Sequence, residues 1–272
     1  MASEEIENWW RTAITQIEPG VIRLRGYAIE DLIGRVGFAA MAWLLMRGEL
    51  PTAEQSRLLE AALVAAVDHG PQAPSIAIAR MAATCGVGIN NAIASATNAL
   101  GDVHGGAGQQ CMELYLEIAR AADKRGIKAV TAEVLATRLA NPRRMLPGFG
   151  HRFHPIDPRA PRLMAMVEEA RAAGAVSGDF VVIGQAVEDC LAQRKGRRLP
   201  MNIDGATAVV FCELGFAPEL GRALFVLARS VGIMAHAWEQ IQQGGRIKGP
   251  MPPSVPIRYD GPAPRPLPAG RR

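Results

Sequence analysis

Residues 146–163 read "LPGFGHRFHPIDPRAPRL" and gather His151, His154, Arg152, Arg159 and Arg162 around a "GFG" turn. Imidazoles exchange protons near neutral pH, and guanidinium forks grip carboxylates and phosphates. The stretch is therefore suited to a negatively charged ligand that gives or takes a proton. The chain has five histidines, His69, His104, His151, His154 and His236. Three glycine-rich breaks carry four of them, all but His236: "VDHGPQAP", "GDVHGGAGQ" and "GFGHRFH". A fourth break, "PMNIDGA", sets Asp204 in the same kind of place. Glycine permits unusual backbone angles and close ligand approach, and loops on a rigid scaffold are where catalytic groups concentrate. Each histidine alone reads as well as a cap or a core residue; four similar breaks carry more weight than any one.

Arginines supply the second half of the pattern. In "GRALFVLARSVGIMAHAWEQIQQGG", Phe225, Arg229, Ile233 and His236 fall on one mostly apolar helix face. An arginine there is expected to be buried or half-buried, either in a structural ion pair or as a clamp on a substrate carboxylate. Arg159 of "DPR" is a second candidate clamp. Lys195, Arg197 and Arg198 either meet phosphates or solvate a loop. Other chemistries find little support. His151 and His154 are the only close histidine pair, and no HxxxH spacing marks a metal site. There is no GxSxG elbow, no P-loop, and no GxGxxG opening a helix after a strand.

The elements that must position these groups read as helices. "LPTAEQSRLLEAALVAAV" opens with Thr52 and Gln55 at capping-box spacing. Residues 75–99 are rich in Ala, Ser and Gly, which suits one or two closely packed helices in a core or a dimer seam. Further helical patterns run over about 107–123, 127–140, 160–173, 178–194 and 217–243. "DFVVIG" resembles a strand, but no strand–helix alternation supports a parallel sheet. The expected fold is all-α over residues 1–243, followed by an extended Pro-rich arm over 244–272, which holds eight of the nineteen prolines.

The sequence pI is near 9.1. That basicity sits in the arm, where Arg246, Lys248, Arg258, Arg265, Arg271 and Arg272 outweigh the single acid Asp260. The body is close to neutral and shows no basic stripe with interleaved aromatics, so no nucleic-acid partner is expected. The longest apolar run, Val36–Met46, is too short to span a bilayer, and no membrane association is expected. Cys85, Cys111, Cys190 and Cys212 form no CxxC pair and read as reduced residues. With an acidic start unlike a signal peptide, they make the cytoplasm the expected compartment.

Taken in order, these motifs resemble the citrate synthase superfamily. "IRLRGYAIEDL" and "LLMRGELPT" are similar to its N-terminal segment, "DVHGGAG" to its "HGG" loop, and "GFGHRFHPIDPR" to its "GxGHR…DPR" loop. "NID" is similar to its catalytic "NVD", "FVLARSVGIMAH" to its arginine helix, and "RYDGP" to its tail. The resemblance runs from about residue 21 to 262. Citrate synthases insert extra helices between "GELP" and the first active-site histidine, whereas here His69 follows Thr52 after seventeen residues. That shortening, with "DHGP", resembles the citryl-CoA lyase branch: the stand-alone lyases and the C-terminal module of ATP-citrate lyase. His104 is instead a citrate synthase feature. "RIKGP" also departs from the synthases, which read "R-P" where Gly249 and Pro250 stand. The arginine that the family lends across the dimer is then either absent or replaced by Lys248 or Arg246.

The resemblance implies Claisen-type cleavage or condensation of a CoA thioester, with no metal or organic cofactor. It assigns His151 as base for the hydroxyl proton, His104 as donor to the thioester enolate oxygen and Asp204 as acid to the enolate carbon. His69, Arg159 and Arg229 would grip the oxo-acid's carboxylates. Arg152, Arg194, Lys195, Arg197 and Arg198 would meet CoA's phosphates. The expected activity is citryl-CoA lyase-like, with a small condensing enzyme and a non-catalytic CoA-binding partner subunit as alternatives. A homodimer or higher homo-oligomer is expected.

Overall fold

Thr52 starts the first long helix as its spacing predicts. Its hydroxyl accepts the Gln55 N–H at 3.2 Å, and the Gln55 side chain accepts the Thr52 N–H at 3.0 Å. The computed structural model describes residues 8–122, 125–141, 145–151 and 154–267, so Arg152 lies outside the described residues. Eleven helices follow one another among them: α1 (Ile29–Leu32), α2 (Phe38–Arg47), α3 (Ala53–Ala66), α4 (Pro74–Thr84), α5 (Ile89–Thr97), α6 (Ala107–Ala122), α7 (Ile127–Arg138), α8 (Arg159–Ala172), α9 (Asp179–Lys195), α10 (Ile203–Glu213) and α11 (Pro218–Gln243). "DFVVIG" lies in α9, and the small-residue stretch 75–99 forms two helices, α4 and α5.

The expected all-α body carries one addition. Thr15–Glu18, Val21–Leu24 and Tyr27–Ala28 form an antiparallel meander, β1-β2-β3. Its turns pass through Gly20 at φ +76° and through Arg25-Gly26 at φ +50° and +90°. Arg25 ties the meander to the helices by donating through Nε and Nη2 to the Leu45 carbonyl near the end of α2. Strands this short present too few residues for an alternation to register.

Two helices organise the body. α10 packs on α3, α6, α8 and α9, and every residue from Gly205 to Cys212 is buried. A helix that is apolar all round shows no amphipathic period, which is why the sequence reads there only as the break "PMNIDGA". α11 packs on α3, α4, α5 and α6. It is long and apolar enough to cross a bilayer, yet Leu224, Ala228, Ile233 and Ala237 are buried inside the helical body. The main core gathers around Tyr115, Met112, Leu58, Leu59, Val209 and Leu224. A smaller, alanine-rich core joins Ile76, Ala79, Ala92 and Ala96 to Ile233 and Ala237, so one face of the 75–99 stretch is spent inside the chain. Beyond α11, residues 244–267 run without helix or strand. The arm is tethered where the Ile247 and Lys248 amides donate to the Thr84 carbonyl and hydroxyl, both at 3.0 Å.

Candidate active site

Five segments converge on one cavity of about 180 Å³ lined by His69, His104, His151, Arg159, Asp204 and Arg229, with Phe225 and Thr207 beside them. All six residues expected to act in catalysis or carboxylate binding therefore meet. His69 lies in the turn after α3, His104 in the loop before α6, and His151 after the "GFG" turn. Arg159 opens α8, Asp204 is the second residue of α10, and Arg229 lies within α11. A wider space of about 660 Å³ adjoins, lined by residues 69–74 with His104, His151 and His154.

The two arginines are held by the end of α3. The last carbonyls of a helix lack intrahelical donors, and cations are favoured there. Arg159 Nη1 donates to the Ala65 carbonyl at 3.3 Å, and Arg229 Nε to that of Ala66 at 3.1 Å. The same bonds hold the start of the His69 turn. Gly232 lets α11 approach that turn, since a Cβ there would overlap the Val67 carbonyl. Arg159 also forms a two-pronged pair with the buried Asp157, through Nε at 2.9 Å and Nη2 at 2.8 Å. Asp157 additionally accepts the Ile203 amide at 3.0 Å, joining the "DPR" loop to the start of α10. Arg159 is thus a positioned guanidinium that offers only its remaining N–H groups to a ligand. Arg229 is buried, with no acidic partner in an ion pair among the described residues. Its guanidinium lies 5.0 Å from the Phe225 ring centre.

Burial raises the Asp204 carboxyl above its ordinary range, partly opposed by Arg159 and Arg229. The three site histidines shift the other way. Burial lowers His69, with Arg159 and Arg229 adding to it. Burial and then Arg229 lower His104, and burial, with His154 and Arg159 against Asp157, lowers His151. Each ring is therefore biased towards the neutral form. Backbone donors then fix two tautomers. The Ser75 N–H donates to His104 Nε2 at 3.2 Å, so the ring proton belongs on Nδ1. The His154 N–H donates to His151 Nδ1 at 3.1 Å, so the neutral ring carries its proton on Nε2. In this orientation His151 is a donor, and acting as the expected base requires release from the His154 amide.

Of the expected phosphate-binding residues, the four that are described lie apart. Arg194, Lys195 and Arg197 are exposed around the end of α9 and line neither cavity. Arg198 pairs with Glu188 at 2.9 Å. Cations at a helix C-terminus also complement its dipole, so their position has a structural reason of its own. Among the described residues, no three His, Cys, Asp or Glu side chains gather as metal ligands.

Sequence reasoning missed Ser75, Asp157 and Asn202. Asn202 caps α10, its Oδ1 accepting the Asp204 and Gly205 amides at 2.9 and 3.3 Å. An Asn immediately before "IDGATAVVF" is a helix-start signal that could have found it. Ser75 meets His104 Nε2 through its hydroxyl at 3.0 Å as well as its backbone N–H, a contact that no residue pattern advertises.

The family model for the citrate synthase C-terminal domain matches residues 8–59 and 52–251. The citrate synthase of Heyndrickxia coagulans is 31% identical over 222 residues, covering 79% of this chain and 55% of that protein. The chain spans about half the length of the curated relatives it matches. A solved citryl-CoA lyase from Hydrogenobacter thermophilus superposes with a TM-score of 0.84 at 34% identity, covering 95% of this chain and 97% of that one. The ATP citrate lyase of Methanosaeta concilii, solved with (3S)-citryl-CoA, gives a TM-score of 0.75 at 20% identity over 97% of this chain and 44% of that one, a likeness of fold alone. With the "HGG", "GFGH", "DPR" and "NID" segments meeting at one cavity and the family model matching most of its length, the chain belongs to the citrate synthase family.

Proposed function

We propose that the protein is a carbon–carbon lyase that splits citryl-CoA, or a related 3-hydroxyacyl-CoA, into acetyl-CoA and an oxo-acid such as oxaloacetate. The observation that carries this reading is the superposition: the citryl-CoA lyase matches 95% of this chain at a TM-score of 0.84, whereas solved citrate synthases match 83–84% of it at 0.63–0.66. α3 alone fills the interval between "GELPT" and the His69 turn.

The site residues support the chemistry. Arg229, His69 and the remaining N–H groups of Arg159 hold the carboxylates of the acid. As the bond between the carbinol carbon and the thioester α-carbon breaks, its electron pair passes to the thioester enolate. His104, neutral with Nδ1–H, donates to the enolate oxygen. Asp204, its pKa raised by burial, delivers a proton to the enolate carbon and becomes the carboxylate. The hydroxyl proton passes to His151 once Nδ1 is released from His154, leaving the oxo-acid carbonyl. Exposed Arg194, Lys195 and Arg197, with Arg152, remain candidates for CoA's phosphates.

One observation favours condensation as a second reading. The His151 tautomer set by the His154 amide presents an N–H, which suits an oxo-acid carbonyl better than a hydroxyl. An assay following oxo-acid and free thiol together tests both. Citryl-CoA should yield oxo-acid and acetyl-CoA much faster than free CoA, and acetyl-CoA plus oxaloacetate should release little thiol. Rapid thiol release from that pair would replace the lyase with a synthase. CoA binding without turnover of any thioester would leave a partner subunit.

A further inference from the structure

His151 and Asp204 come from separate segments, yet the chemistry needs them at a fixed separation. One side chain touches both segments. The Asn202 amide donates to the Gly148 carbonyl at 3.0 Å, and its side-chain Nδ2 to the Gly150 carbonyl at 2.7 Å, directly before His151. Its Oδ1 meanwhile accepts the amides of Asp204 and Gly205. Around it, the Gly150 amide donates to the Pro200 carbonyl at 2.7 Å, and Phe149 forms a bridge with Met201. The segments touch without side chains between them, because a Cβ on Gly205 would overlap the Gly148 carbonyl. Glu188 anchors this strap from behind, accepting the Met201 amide at 3.1 Å and pairing with Arg198.

From this geometry we infer that Asn202 is a positioning residue that locks the His151 loop to the Asp204 helix. A helix cap needs only an acceptor, and Asp or Ser serves as well as Asn. The bond to Gly150 needs a donor on the same side chain, which an amide has and an aspartate lacks. The choice of asparagine answers both demands at once. Loss of the donor leaves α10 capped but frees the loop, and a misplacement of about 1 Å at a reacting group costs turnover about a hundredfold.

The turnover part of the test rests on the proposed CoA-thioester activity; the exchange part does not. Asn202→Asp and Asn202→Ser are compared with wild type by thermal unfolding, by hydrogen exchange of residues 148–151 and 205–213, and by citryl-CoA cleavage. The expected result is cooperative unfolding and unchanged exchange over 205–213. Exchange over 148–151 should rise about tenfold or more, and kcat should fall about ten- to a hundredfold with KM little changed. Wild-type exchange over 148–151, or wild-type kcat, in both variants would overturn the inference and leave Asn202 a helix cap. In wild-type protein the Asn202 side-chain amide protons should exchange slowly, and rapid exchange there would overturn it even if neither variant folds. A wild type that cleaves no CoA thioester removes the proposed function, while the exchange measurements still decide the role of Asn202.

Discussion

The backbone N–H of Ser75 donates to His104 Nε2 across 3.2 Å, tying the second residue of α4 to the "HGG" loop. A backbone amide can only donate, so this bond requires a lone pair on Nε2 and leaves the proton on Nδ1. The bond disfavours the imidazolium, in which both nitrogens carry protons, and burial acts in the same direction. His104→Ala should therefore lower kcat about a hundred- to a thousandfold, the scale of removing one oxyanion donor, with KM for the thioester largely kept. Steady-state kinetics check the split; a loss confined to KM would make His104 a binding residue.

The shared downward shift of His69, His104 and His151 has a consequence for stability. All three fall below their ordinary value near 6.5, with burial the largest cause. Between the lowered and the ordinary value the unfolded chain binds more protons than the folded one. Stability is then fully present above about pH 6.5 and is lost as pH falls through the folded values. Melting temperature should drop on going from about pH 7 to about pH 5, and His104→Gln should flatten that dependence. An unchanged pH slope in the variant would remove His104 from the linkage.

Asp204→Asn should leave the melting temperature close to wild type while cutting turnover about a hundred- to ten-thousandfold. The amide keeps the shape at the start of α10 but cannot exchange the proton. The carboxylate is raised by burial, so replacing it removes a charge the site holds unwillingly. Near-native turnover, or a collapsed melting temperature, would make Asp204 structural.

What the sequence revealed follows from how each group acts. His69, His104, His151, Arg159, Asp204 and Arg229 act through side-chain chemistry beside glycine breaks or on a helix face, and all six line the cavity. α3 was legible because Thr52 and Gln55 cap each other through their own side chains. α10 was not, because burial on every side erases the period that reveals a surface helix. Ser75 and His154 fix tautomers through backbone amides, and Asp157 matters through where Arg159 and Ile203 come to lie. Such relations exist only once the chain has folded.

The expected homodimer has a surface through which to act. Val231, Met234, Trp238 and Ile241 recur along α11 and are each 40–53% exposed. Their spacing puts them on one side of the helix, opposite the core-facing residues, and contiguous apolar patches of this kind mark association sites. Light scattering at micromolar concentration should give a dimeric mass for wild type and a monomeric one for Trp238→Lys. A monomeric wild type would reject the expectation.

Arg229 is the proposed clamp on the acid. Its residue is 6% exposed, and burial pulls its pKa down, opposed by Asp68 and Asp204. A structural ion pair would explain such burial, but no ion pair among the described residues includes Arg229. Its direct contacts are the Ala66 carbonyl and the Phe225 ring, and the negative charge of Asp68 and Asp204 reaches it only through space. A buried cation so placed, facing the cavity beside Arg159, is completed by an anionic ligand. Arg229→Met keeps much of the stem packing and removes the fork. Affinity for oxaloacetate should weaken by about 2–4 kcal/mol, the range for a buried charged partner, while CoA binding changes little. Stability should fall by about 1 kcal/mol through the lost bond to Ala66. Calorimetric titration with oxaloacetate and with CoA, beside thermal unfolding, separates the two effects. Unchanged oxaloacetate affinity with lowered stability would make the end of α3, and not the substrate, what Arg229 is there to hold.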